Sequence, residues 1–133
     1  VHPRYLAAAF AVPRVRVLMD ELIERHAGEL SFEGIAKRLM AEDWILWVVT
    51  ENGAPRAILA TELYRDVGGL KRCRIPFCTG DGARGWVHLL AQIEAWAREN
   101  DCARLDMIAR KGWAKHLPDY RMTHVVLEKD LTT

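Results

Sequence analysis

The stretch Arg72–Cys102 decides how the rest of the chain is read. It runs RCRIPFC (72–78), TGDGARG (79–85) and WVHLLAQIEAWARENDC (86–102). The three pieces read as a strand, a glycine-rich turn and a long amphipathic helix. Apolar residues recur at Trp86, Leu89, Leu90, Ile93, Trp96 and Ala97, the 3.6-residue period of a helix laid on a core. Gly80, Gly82 and Gly85 stand just before that helix. A glycine turn at a helix N-terminus lets backbone N–H groups converge on an anion, aided by the positive end of the helix dipole. Two readings of the turn follow: an anion cradle, or a tight turn that needs only the freedom of glycine.

Upstream, Trp44–Thr50 (WILWVVT) is apolar on both faces and rich in β-branched and aromatic residues, which predicts a central strand covered on both sides. Asn52-Gly53 is a strong hairpin signal. The return strand covers Arg56–Tyr64, with Ala57, Leu59, Thr61 and Leu63 on one face and Ile58, Ala60, Glu62 and Tyr64 on the other. Glu62 is a carboxylate inside that run and reads as an exposed or rim position. A loop over Asp66–Leu70 leads to a strand over Lys71–Cys78. Pro76 interrupts it and implies an edge, a bulge or a local break. Cys73 and Cys78 fall on opposite faces of a regular strand.

Before the hairpin the sequence predicts a short edge strand at Arg4–Leu6 and a helical turn at Ala7–Phe10. Pro13 suits the first turn of a helix striped by Val15, Leu18, Met19, Leu22, Ile23 and His26, which Gly28 ends. His26 is expected to be a partly buried, hydrogen-bonded core residue. Ser31 caps a second helix striped by Phe32, Ile35, Ala36, Leu39 and Met40. After the long helix come a strand at Cys102–Ala109, a short helix at Arg110–Pro118 and a last strand at Met122–Lys129. The fold class is therefore mixed α/β (α+β), in the order β-α-α-β-β-β-α-β-α-β with a mainly antiparallel front half. Trp44, Trp47, Trp86 and Trp96 fall on strands or stripes expected in the core.

With 133 residues, half of them hydrophobic and 28% charged, the chain has the makings of one domain, 1–133, with a single sizeable core. A net charge of +1 and scattered Arg and Lys argue against a nucleic-acid partner. Three cysteines without a CxxC, and five histidines without HxH or HExxH, suggest a reducing compartment and no metal site. No signal peptide and no apolar run of bilayer-spanning length is read, so the expected location is cytoplasmic.

This order resembles the GNAT superfamily of N-acyltransferases, which bind acetyl- or acyl-coenzyme A. The resemblance runs from about Trp44 to Leu131 and rests on three stretches. These are the hairpin WILWVVTENGAPRAILATELY, the strand-turn-helix above, and the closing RKGWAKHLPDYRMTHVVLEKDL. The short length and the GW near both ends of the second half look most like small bacteriophage-encoded GNAT-like proteins. The resemblance implies that Phe77 and Cys78 line pantetheine and that Gly82, Ala83, Arg84 and Gly85 cradle the pyrophosphate. The loop departs from the family's pattern, since Gly80 stands where Arg or Gln is usual and Ala83 where the first glycine is. No tyrosine occupies the usual thiolate-protonating position near Leu117; His116 and the later Tyr120 are the candidates. Glu62 is the candidate base, with Asp106 and His116 as fallbacks.

The functional expectation is acyl transfer from acyl-CoA to an amine. The alternative is a GNAT-like fold that has lost its chemistry and serves as a phage structural, virion-internal or accessory protein. Its partners would then be other phage proteins, and its place the host cytoplasm or the virion.

Overall fold

The architecture is taken from a computed structural model, which describes residues 1–26, 28–80, 83–109 and 117–132, with 83–88 described by their backbone. The N-terminal segment is helical where a strand was expected. A 3-10 turn over Pro3–Tyr5 runs into α1 (Leu6–Ala11). Pro3 stands in the first turn, and the His2 ring accepts from the Arg4 N–H. LAAAFA then favours helix because alanine has the highest helix propensity. Pro13 opens α2 (Pro13–Arg25), as its fixed φ allows. Val15, Leu18, Met19 and Leu22 are its buried positions. His26 is the C-cap and lies half-exposed, 3.5 Å from Glu29, rather than in the core. Gly28 follows at φ +85, where glycine is favoured. Ser31 caps α3 (Phe32–Met40) by accepting from the Gly34 N–H at 3.0 Å. Ile35 and Leu39 point inward, while Met40 is exposed.

The strands are β1 (Ile45–Glu51), β2 (Ala54–Arg65), β3 (Lys71–Ile75), β4 (Cys78–Gly80) and β5 (Arg104–Met107). Asn52 and Gly53 both take positive φ, +53 and +79, as a type I′ hairpin turn needs. The path is β1-β2-β3-β5, with β4 also on β2. All pairings are antiparallel except β3 with β5, which is parallel and joined through the crossover helix α4 (Ala83–Glu99). Among the described residues β1 is thus an edge strand, not a central one. Its burial on both faces comes from helices above and below, and does not require a strand on each side.

The sheet lies between two cores. On one face Trp44, Leu46, Ile58, Ala60 and Phe77 pack with α1, α2 and α3. On the other, Leu59 and Ile75 pack with Leu90 and Ile93 of α4 and with Leu117. Trp47 joins this second face, its indole N–H donating to Thr61 Oγ1 at 2.9 Å and its ring edge-on to Trp96. The assignment of β2 faces expected from alternation therefore holds. Two terminal expectations do not: 4–6 form no strand, and 117–132 carry no strand or helix. The short helix expected at Arg110–Pro118 lies largely outside the described residues, as does Gly82.

Candidate functional site

The site is set by what happens to one strand at Pro76. Below it, β3 pairs with β2 in the register Glu62↔Arg74, Leu63↔Cys73. Above it, β4 pairs with the same strand as Leu59↔Cys78, Ile58↔Thr79. The partner numbers add to 136 in the first case and 137 in the second, so one extra residue sits between them. This is a β-bulge at Pro76–Phe77, where proline could not have donated to the ladder. The Ala60 N–H donates to the Phe77 carbonyl across it, at 3.3 Å.

The extra residue inverts the alternation of side chains. Phe77 turns into the α1–α3 core, edge-on to Trp44 with ring centroids 5.7 Å apart. Cys78 packs against the α4 side. Cys73 is paired with Leu105, which also packs on that side. The two cysteines therefore share a face, contrary to the expectation from a regular strand. Burial pushes both thiols up to about 12, so neither is an ionised nucleophile near neutral pH.

β5 pairs with β3 from Arg72↔Arg104 to Ile75↔Met107, and the last bond is Ile108 N–H to the Ile75 carbonyl at 3.2 Å. Beyond that rung, among the described residues, β4 has a strand on its β2 side only. The two parallel strands thus part where the bulge begins, leaving one backbone edge of Cys78–Gly80 without a strand partner. α4 starts at Ala83, three residues past the end of β4. Gly80 presses on β2: a Cβ there would meet the Ala57 Cβ at 2.3 Å and the Arg56 carbonyl at 2.6 Å. Thr79 is 3% exposed and its Oγ1 has no partner among the described residues. A buried hydroxyl left so is costly, about 1–3 kcal/mol; Thr79 is paired with Ile58, whose side chain lies on the α1–α3 face.

Just below the fork, three strands are tied together by side chains on the α1–α3 face. Arg74 Nε donates to Asp106 Oδ1 at 2.7 Å, and its Nη2 donates to the Tyr64 hydroxyl at 3.0 Å. The Tyr64 hydroxyl donates to Asp106 Oδ2, and the Arg74 guanidinium lies 4.6 Å from the Tyr64 ring centroid. Arg72 Nε donates to Asp66 Oδ2 at 2.8 Å. Burial first, then the bond to Asp106, raises the Tyr64 pKa, so the phenol keeps its proton. The Arg72 guanidinium beside Asp66 holds that carboxyl below the usual range.

The predicted site residues fall as follows. Phe77 lies at the bulge beside the fork, its carbonyl accepting from Ala60 of β2 and its side chain in the core. Cys78 lies on the free edge. Ala83, Arg84 and Gly85 open α4 by their backbone, while Gly82 and His116 lie outside the described residues. Glu62 sits on the Arg74 side of the sheet, two strands from Asp106. Tyr120 packs on the opposite face, with its hydroxyl donating to Glu94 Oε2 at 3.2 Å. Burial and the neighbouring Glu94 raise its pKa, keeping it a neutral donor. The sheet therefore separates Glu62 from Tyr120. Tyr64 and Arg74 were missed because their relation to Asp106 is created by register. The available signal was that all three lie on one face of adjacent strands.

No protein-family model matches the sequence, and no curated protein matches it. Solved structures match by shape. An aminoglycoside acetyltransferase from an uncultured soil metagenomic sample, in complex with trehalose, is 13% identical with a TM-score of 0.70, covering 99% of this chain and 93% of its own. The ribosomal-protein-alanine N-acetyltransferase of Brucella melitensis biovar Abortus 2308 is 13% identical with a TM-score of 0.70, covering 100% and 95%. A GNAT family acetyltransferase of Staphylococcus aureus is 14% identical with a TM-score of 0.58, covering 77% and 78%. The chain has the fold of these acetyltransferases. Among the described residues no helix is long and apolar enough to cross a membrane.

Proposed function

We propose that the chain is a GNAT-like N-acyltransferase that moves an acyl group from acyl-coenzyme A to an amine in the cytoplasm. The observation that carries this reading is the fork: β3 and β5 part above Ile75 and Met107, and the free edge of β4 leads within three residues to the start of α4. Acyl-coenzyme A, when bound, supplies an activated thioester carbonyl. Phe77 and Cys78 would line the pantetheine, and Gly82, Ala83, Arg84 and Gly85 would hold the pyrophosphate ahead of α4. Arg84 adds a charge-assisted contact.

The base and the acid of this reading stand on opposite faces of the sheet. Glu62 would take the proton of the incoming ammonium from the α1–α3 side, and Tyr120, on the α4 side, would return one to the leaving sulfur, with His116 as the alternative donor. Holding the amine against the carbonyl supplies much of the rate.

One observation favours a second reading, a degenerate fold acting as a phage structural, virion-internal or accessory protein: the Tyr120 hydroxyl is already committed to Glu94. The bacteriophage origin rests on sequence pattern alone. Calorimetry with acetyl-CoA separates the two. The acyltransferase reading predicts micromolar binding, weakened at least tenfold by Gly85→Glu, which sets an anion in the cradle. No heat of binding to the unaltered chain, with recovery in a stable protein complex, overturns it for the second.

A further inference from the structure

We propose that the amine acceptor is a free amino acid, and that Arg25 at the end of α2 binds its carboxylate. The inference rests on the acyltransferase reading and deepens it on the acceptor side. Val15, Leu18 and Leu22 form a buried stripe on α2, and Arg25 is the next position along it. Leu22 shares its core with Phe77 at the bulge, and α2 packs on both β2 and β4. An arginine therefore stands where the inward stripe runs past the core toward the upper half of the strand. Burial raises the Cys78 thiol, and the charge of Arg25 works against that rise, as a guanidinium near β4 should. Arg25 is exposed, and among the described residues no hydrogen bond, ion pair or ring contact engages it.

The opposite charge on this face of the sheet is Glu62. Arg74 stands across the ladder from it, but Arg74 is committed to Asp106 and Tyr64. Among the described residues Glu62 makes no hydrogen bond or ion pair, so its carboxylate is available to a ligand. Glu62 lies below the bulge, whereas Cys78 lies above it and pairs with Leu59. Leu59 and Glu62 are separated by about 10 Å of strand, at roughly 3.3 Å per residue. The glutamate and arginine side chains span part of that length, and the remainder suits a small zwitterion. Its ammonium faces Glu62 and its carboxylate meets the fork of donors on Arg25. A polyamine would instead bring a second cation to Arg25, and a purely apolar amine would leave the guanidinium unanswered.

Acyl transfer from acetyl-CoA by the full chain, read as released CoA thiol, tests it on a panel of the common free amino acids, each matched with its α-carboxamide. The unaltered chain is expected to acetylate at least one free amino acid. Arg25→Gln, at an exposed position, should leave the circular dichroism unchanged. It should raise the KM of that amino acid by about ten- to hundredfold and that of the matched amide far less, and Arg25→Lys should recover part of the loss. Comparing variants rather than substrates cancels the different basicity of the two amines. An equal loss for acid and amide overturns the inference. So does a loss that resides in acetyl-CoA affinity, which would assign the guanidinium to the cofactor's phosphates. A loss seen only with succinyl-CoA as donor also overturns it, because the carboxylate at Arg25 would then belong to the acyl group. An unaltered chain that binds acetyl-CoA but acetylates no free amino acid overturns this inference alone; one that binds no acetyl-CoA overturns the acyltransferase reading and this inference with it.

Discussion

The two halves of the strand running from Lys71 to Gly80 are made differently. The lower half, β3, has β2 on one side and β5 on the other, and the Tyr64–Arg74–Asp106 cluster ties all three. Among the described residues the upper half, β4, has β2 alone. One bulged residue at Pro76–Phe77 separates a half that holds the sheet together from a half that exposes its backbone. Availability here comes from pairing that stops at a defined rung. The cluster sets that rung by clamping the strands directly beneath it.

The largest effect should fall on Phe77, whose side chain belongs to the core even though its backbone borders the mouth. Phe77→Ala should cost about 3–5 kcal/mol of stability in urea unfolding, whereas a residue facing only the mouth would cost far less. Gly80→Ala comes next. The added Cβ has no room against Ala57 and the Arg56 carbonyl, so the upper half must move away from β2 at about 1–3 kcal/mol. In the lower half, Asp106→Asn weakens the tie by about 1–2 kcal/mol; unchanged stability would show that the cluster does not hold the fork.

The smallest effect at neutral pH is in the thiols. Cys73 below the bulge and Cys78 above it both titrate at about 12 in the folded chain, against 9.0 for an ordinary thiol. A folded pKa raised in this way contributes stability that is fully present below pH 9 and lost as the pH rises toward about 12. For Cys78 the loss is about 1 kcal/mol by pH 10. Cys78→Ala should therefore flatten the alkaline limb of a stability-against-pH curve; a limb of unchanged slope would contradict the burial of that thiol.

Much of the fold is legible because its signals are local. Asn52-Gly53, the Ser31 cap, Pro13 and the stripes of α2 and α4 each depend on a few neighbouring residues. Pro76 announced an interruption, but among edge, bulge and break only pairing with β2 decides, and the reversed faces of Phe77 and Cys78 follow from that decision. Trp44–Thr50 looked central because burial on two faces reads the same for an edge strand under helices. The helix at Leu6–Ala11 went against a strand reading of Arg4–Leu6 once His2 and Pro3 started the turn. The Tyr64–Arg74–Asp106 cluster spans three strands and 42 positions, beyond the reach of any local pattern.

The most direct test of the fork as a cofactor mouth is an amide chemical-shift titration of the full chain with acetyl-CoA. Shifts are predicted at Cys78, Thr79, Gly80, Ala83, Arg84, Gly85 and Ile108, with Arg72, Cys73 and Leu63 unmoved. Saturation without shifts in the upper half, or shifts confined to the lower half, would contradict the account.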